Sequence, residues 1–177
     1  MKAKKIKIDL ESDFWIYSRI TCPFELIKTF FDDRLLESHK ENLEEIAFFA
    51  SRDEIYNKDN PSEVLRYYTI IRSFIRACYL LRNKFQKYKV IGEVYFESGL
   101  SQGSLTYEEY KTPFLVFHRA FKVKTLMDYQ FFLYEIVHQA LIPNPDELSY
   151  NIMTPYIYLI KMLDAAQLIR EREIEKI

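Results

Sequence analysis

All three glycines of this chain, Gly92, Gly99 and Gly103, fall within one stretch of twelve residues, so every turn elsewhere must be made without one. Hairpins and tight turns need residues at φ > 0, which glycine supplies at least cost. At average usage of roughly 7%, a chain of this length would hold about a dozen. Scarcity on this scale argues against a β-rich or loop-rich fold. The expected class is all-α: a single-domain bundle of five to seven helices spanning residues 1–177.

The longest uninterrupted helical pattern runs over residues 61–89, and it is the expected centre of the bundle. Asn60 is a good N-cap, and Pro61 fits the first helical position, where the N–H has no intrahelical partner. At 3.6 residues per turn, Val64, Tyr67, Ile70, Ile71, Phe74, Ile75, Cys78, Leu81, Phe85 and Tyr88 fill about half the circumference. An arc that wide must touch several elements. Arg82 falls on the same arc, where an unpaired charge is costly, so a carboxylate or carbonyls must meet it, with Glu135 a possible partner.

Before this helix, residues 4–10 alternate polar and apolar, which predicts a mobile or extended arm over residues 1–10 or an edge strand lent to another subunit. Residues 11–20 fit helix and extended chain equally. Pro23 starts a helical run that breaks between Asp32 and Ser38, and Asn57 to Asn60 form a polar connector. The central helix can continue past Lys89. Residues 98–104 (SGLSQGS) read as an internal linker between two helical groups. Beyond it, Thr106 with Glu109 forms a capping box, and Pro113 restarts or kinks that helix. Thr125 caps a very apolar helix that PNPD at 143–146 ends. Thr154–Pro155 opens the last helix, whose charged end is expected to project into solvent.

Glu135-Ile-Val-His138 matches the Glu-x-x-His pattern that points two ligands at a metal pair in ferritin-like bundles. Such a site needs the motif twice, and here it occurs once. His118, Glu109, Glu108 and Glu97 are the only substitutes in view. The competing reading is a polar stripe, since Asp128, Glu135, His138 and Gln139 share about a third of a turn. The stripe is preferred; no metal and no cofactor are expected.

Arg34-Leu-Leu-Glu-Ser-His39 resembles, over six residues, the Arg-x4-6-His signature of HEPN-type ribonucleases. The resemblance implies that Arg34 and His39 act together on RNA phosphodiesters, although Leu35 stands where that family usually carries a polar residue. The alternative is a solvated helix junction, and the chain is not assigned to the family.

Residues 61–89 carry seven Lys/Arg and one acid, and Arg66, Arg72, Arg76, Lys84 and Lys87 gather on one face. That face could grip nucleic acid, with tyrosines stacking on bases. However, residues 32–59 hold nine acids against four bases, and the whole chain carries a net charge of −1. Neutralisation inside the bundle is the expected outcome.

Three function classes follow. The first is a non-enzymatic bundle that binds another protein or its own copy, suggested by 14 Tyr and 14 Phe. The second is a metal- or ligand-binding bundle, oxidoreductase-like, with a site at Glu135, His138, His118 and Arg82. The third is a nucleic-acid-binding regulator using residues 66–89. An exposed Tyr/Phe patch with no convergence on Glu135 and His138 favours the first. No membrane partner is expected, because no stretch approaches 18 apolar residues and no apolar segment follows the basic start. Isolated Cys22 and Cys78 suit a reducing compartment, so the cytoplasm is the expected location.

Overall fold

A computed structural model describes residues 8–52, 54–58, 60–92, 102–142 and 151–177. Among these residues the chain forms seven helices: α1 (Pro23–Asp33), α2 (Leu36–Ala50), α3 (Pro61–Leu81), α4 (Tyr107–Lys111), α5 (Phe114–Val123), α6 (Leu126–Leu141) and α7 (Met153–Glu171). Two short strands, β1 (Tyr88–Ile91) and β2 (Glu173–Lys176), pair antiparallel. The all-α reading holds. Helices from both sides of the glycine stretch interleave around one apolar cluster: α2 and α3 pack on α6, α1 and α2 on α7, and α3 on α5.

The predicted starts come from local chemistry and are met. Asn60 accepts a hydrogen bond from the Ser62 N–H, and Pro61 occupies the first position of α3. Thr106 with Glu109, and Thr125 with Asp128, form reciprocal capping boxes at α4 and α6. Pro113 separates α4 from α5. Residues 143–150, including PNPD, lie outside the described residues.

The ends differ from expectation. α3 stops at Leu81 rather than Lys89; a 3-10 turn, Lys84–Gln86, and then β1 follow. Phe85 and Tyr88 therefore leave the helical arc, although both still pack on the core. The charged tail beyond α7 is exposed, but as strand rather than helix: Glu173–Lys176 forms β2 against β1, in register Tyr88 with Lys176 and Val90 with Ile174. Tyr88, Val90 and Ile174 alternate inward, and Lys89 meets Glu175 outside at 2.9 Å. Gly92 leaves β1 at φ +125°, a conformation that side chains disfavour.

The expected arm is a strap instead, at least over its described part, with residues 1–7 outside. Leu10 is buried in the core, and the Ser12 hydroxyl accepts from the Ile20 N–H at 2.7 Å. Trp15 donates from Nε1 to Ser73 Oγ at 3.0 Å, which fastens the strap to α3. Glu11 sits at φ 56°, and its carboxylate is held by Arg72 at 2.9 Å and Arg76 at 2.7 Å. Those two ion pairs favour a backbone conformation that is otherwise unfavourable for glutamate.

His39 joins the first three helices. It is fully buried, with its ring stacked 3.8 Å from Phe30, which stacks in turn on Phe74 of α3 at 4.4 Å. His39 Nε2 donates to the Phe30 carbonyl at 3.1 Å, satisfying an acceptor in the last turn of α1. The Tyr67 hydroxyl donates to the His39 carbonyl at 2.6 Å. Burial pushes the imidazole pKa down to about 4, so the ring is neutral at pH 7.

The unfolded chain takes up this proton near pH 6.5, and the folded chain only near 4. Stability is therefore complete above 6.5 and falls as pH drops between the two values, by about 1.4 kcal/mol per unit and about 3 kcal/mol in all. Urea denaturation from pH 7 to 4 should show this slope. His39→Phe, which keeps the stacked ring but cannot titrate, should be flatter over the same range.

Candidate functional site

The outer face of α6 carries the most conspicuous side chains of the surface. Met127, Phe131, Tyr134 and His138 recur at i, i+4, i+7 and i+11, which places them within about a sixth of the helical circumference. Met127 is 76% exposed, Phe131 49% and Tyr134 50%. The opposite face of the same helix buries Tyr129, Phe132, Leu133, Ile136 and Ala140. α6 is thus apolar on both sides, and on the outer side Met127 and Tyr134 are at least half exposed.

His138 belongs to this exposed stripe, and its ring stacks on Tyr134 at 5.5 Å with 22° between planes. Glu135 is half-buried beside it. The other members of the expected polar stripe go elsewhere. Asp128 is occupied by the Thr125 cap, whose hydroxyl and N–H hold its carboxyl below the usual carboxylate range. Gln139 is buried.

Among the described residues, the substitutes proposed for a metal site do not form a metal-holding group with Glu135 and His138. The His118 ring packs on Phe85 at 4.7 Å. Glu109 is buried beneath α7, accepting from Lys161 at 2.7 Å, from Arg119 at 3.2 Å and from the Thr106 N–H at 3.0 Å. Burial alone would raise its pKa, but these partners together bring it below the ordinary value. Glu108 pairs with Arg119 at 2.5 Å. Glu97 lies outside the described residues. Among the described residues no group of three or more His, Cys, Asp or Glu is placed to hold a metal ion.

Arg82 and Glu135 form no ion pair. Because α3 ends one residue earlier, Arg82 is only half-buried; it donates to the Tyr79 carbonyl at 2.5 Å and lies 3.6 Å over the Tyr79 ring. A carbonyl meets it, as the pattern required, but one from its own last turn.

The basic face of α3 is largely answered from within. Arg66 reaches Asp33 at 2.7 Å, while Arg72 and Arg76 share Glu11. The acids between residues 32 and 59 were expected to do this; Glu11 was not. Lys84, at 5.3 Å over Tyr88, and exposed Lys87 lie beyond the end of the helix.

The two residues of the six-residue resemblance lie near each other but differ in burial. His39 is in the core, whereas Arg34 faces Asp33 at 3.6 Å and Glu63 at 3.3 Å. Neither the solvated junction nor a paired catalytic Arg and His describes this arrangement.

One buried polar cluster had no sequence signal beyond a lone acid in an apolar helix. Asp164 of α7 is fully buried, 2.5 Å from Lys40 Nζ of α2, and accepts from Ser104 Oγ at 2.5 Å. Burial raises its pKa despite both partners. Gln102, also buried, and Ser104 belong to the expected linker, whose described end is therefore pinned to α7. The rest of it, residues 98–101, lies outside the described residues.

Comparison with protein-family models, with curated proteins and with solved structures finds no match.

Two substitution outcomes follow. Asp164→Ala removes the counter-charge of a half-buried lysine and should lower unfolding stability in urea by about 2 kcal/mol, and Ser104→Ala by about 1. His138→Ala, at an exposed ring, should stay within about 0.5 kcal/mol of the parent in the same assay.

Proposed function

We propose that the protein acts by binding rather than by catalysis, and that the outer face of α6 is its contact surface for a second copy or another protein. The observation carrying this reading is that α6 is apolar on both faces while Met127 and Tyr134 on its outer face are at least half exposed. A helix of that kind belongs in an interior, and a partner helix laid along Met127, Tyr134 and His138 would give it one. Tyr and Met suit such contacts, since they supply large, adaptable apolar area.

What surrounds the stripe supports binding over chemistry. Glu135 and His138 have no third ligand among the described residues, and Glu109, Asp128 and Arg82 are engaged by neighbours. The cations of α3 are matched by Glu11 and Asp33, which also weighs against nucleic acid. No helix among the described residues is long and apolar enough to cross a membrane. Two free thiols, Cys22 exposed and Cys78 buried, suit a cytoplasmic setting.

Self-association is the simplest form to test, because a two-fold contact needs only one self-complementary stripe. Sedimentation velocity over a range of concentrations should show a reversible dimer. Tyr134→Glu and Met127→Glu should weaken it at least about tenfold while leaving the far-UV circular dichroism unchanged. A concentration-independent monomer, together with unchanged recovery of stoichiometric partners by the two variants, would defeat the proposal.

A further inference from the structure

A second surface, separate from α6, has a different chemistry. Where α1, the end of α7 and β2 meet, they leave an open groove of about 500 Å³. Its floor is apolar, made by Phe24 and Ile27 of α1, Ile169 of α7 and Ile174 of β2. Its rim carries Lys28, Arg170 and Arg172 against a single acid, Glu171. The volume lies within the range of ordinary ligand sites, about 300–1,000 Å³.

The cations differ in how far they are committed. Arg170 reaches Asp32 at 2.8 Å, and that carboxylate is itself half-exposed. Arg172 donates to the Tyr110 carbonyl at 3.0 Å, with its guanidinium 4.3 Å over the Tyr110 ring, so no carboxylate offsets its charge. Lys28 is exposed, with no counter-ion among the described residues. The rim therefore keeps an excess of positive charge beside an apolar floor.

The strand bounding the groove has an unpaired edge. The Ile177 N–H donates to the Lys87 carbonyl at 2.9 Å. Antiparallel pairs alternate between bonded and non-bonded, so the register assigns the ladder bonds to Lys89 with Glu175 and to Ile91 with Glu173. The N–H and C=O of Ile174 therefore point away from β1, and no other described backbone group bonds them. An edge of this kind is a template for one more strand.

We propose that this groove binds an extended acidic peptide segment of another protein, which adds to the free edge of β2. Alternate side chains of the added strand would place apolar groups on the floor of Phe24, Ile27 and Ile169, with Glu or Asp between them facing Lys28 and Arg172. The free main-chain edge favours a peptide over a small amphiphilic anion, which needs no such edge. The basic start of this chain, MKAKKIK, has the wrong sign for the rim.

The test is fluorescence anisotropy on the full chain with three labelled probes: a short peptide alternating isoleucine and glutamate, its isoleucine–lysine counterpart, and the acidic peptide with proline at its centre. The acidic peptide should bind saturably and more weakly as salt rises, while the other two bind at least about tenfold less tightly. Lys28→Glu, an exposed change that the fold tolerates, should weaken the acidic peptide by a similar factor. Ile174→Pro removes the outward N–H without touching the β1 ladder and should weaken binding clearly more than Ile174→Ala, which only shortens one side chain of the floor. Three results would overturn the proposal: no binding of the acidic peptide to folded protein, binding indifferent to Lys28→Glu, or equal binding of the proline peptide. Saturable heat of binding of decanoate in titration calorimetry, with no peptide binding, would instead mark a pocket for small amphiphiles. Should Ile174→Pro unfold, Lys28→Glu and the proline peptide decide between these outcomes. Tyr134→Glu should leave all of these values unchanged, which separates this groove from the α6 surface.

Discussion

The first half of the bundle depends on a histidine that must stay uncharged. His39 sits between the aromatic rings of α1 and α3 and completes the hydrogen bonding of the α1 C-terminal turn. Its own carbonyl is taken by Tyr67 of α3. One residue thus sets the angle at which the α1–α2 corner meets the central helix, since both its ring and its backbone are engaged from different sides. A protonated imidazole there would be a desolvated cation among Phe30, Phe31 and Phe74, with no carboxylate in contact to balance it. The packing of three helices is therefore tied to one protonation state.

Several buried or half-buried acids act as joints of this kind. Glu109 closes a cap and receives Lys161 and Arg119; Glu11 receives two arginines; Asp164 joins α2, α7 and the segment before α4. Buried acids in an apolar bundle must be paired, and pairing at these sites occupies the groups that a catalytic centre would need free. The exposed side chains of Met127 and Tyr134 on α6, and the floor of the groove by β2, are by contrast apolar. That distribution is what makes binding the better reading of the molecule.

The legible parts of the fold were those written locally. Caps, proline starts and the apolar arc of α3 each depend on residues within one or two turns, so Asn60, Thr106, Thr125 and the face from Val64 to Leu81 could be read directly. The ends of α3 and α7 could not. Tyr-Lys-Val-Ile and Glu-Ile-Glu-Lys are each tolerable helix, and only their mutual pairing, across most of the second half of the chain, makes them strands. The strap at residues 8–20 was illegible for the same reason, because its stability comes from Arg72, Ser73 and Arg76. Among candidate site residues, sequence spacing identified His138 as outward-facing or ligating but could not show that Tyr134 and Phe131 share its exposure. Lys28 and Arg172 carried no signal at all, since a groove between distant segments leaves no periodicity in either.

The groove is built from the first long helix and the last strand in chain order. During synthesis α1 emerges early, but the wall it faces does not exist until α7 has packed and β2 has found β1. Its walls meet only in a chain whose two ends have been brought together through the core. Any partner that reads this surface therefore reads the completeness of the whole domain, and a nascent or partly opened molecule is silent to it.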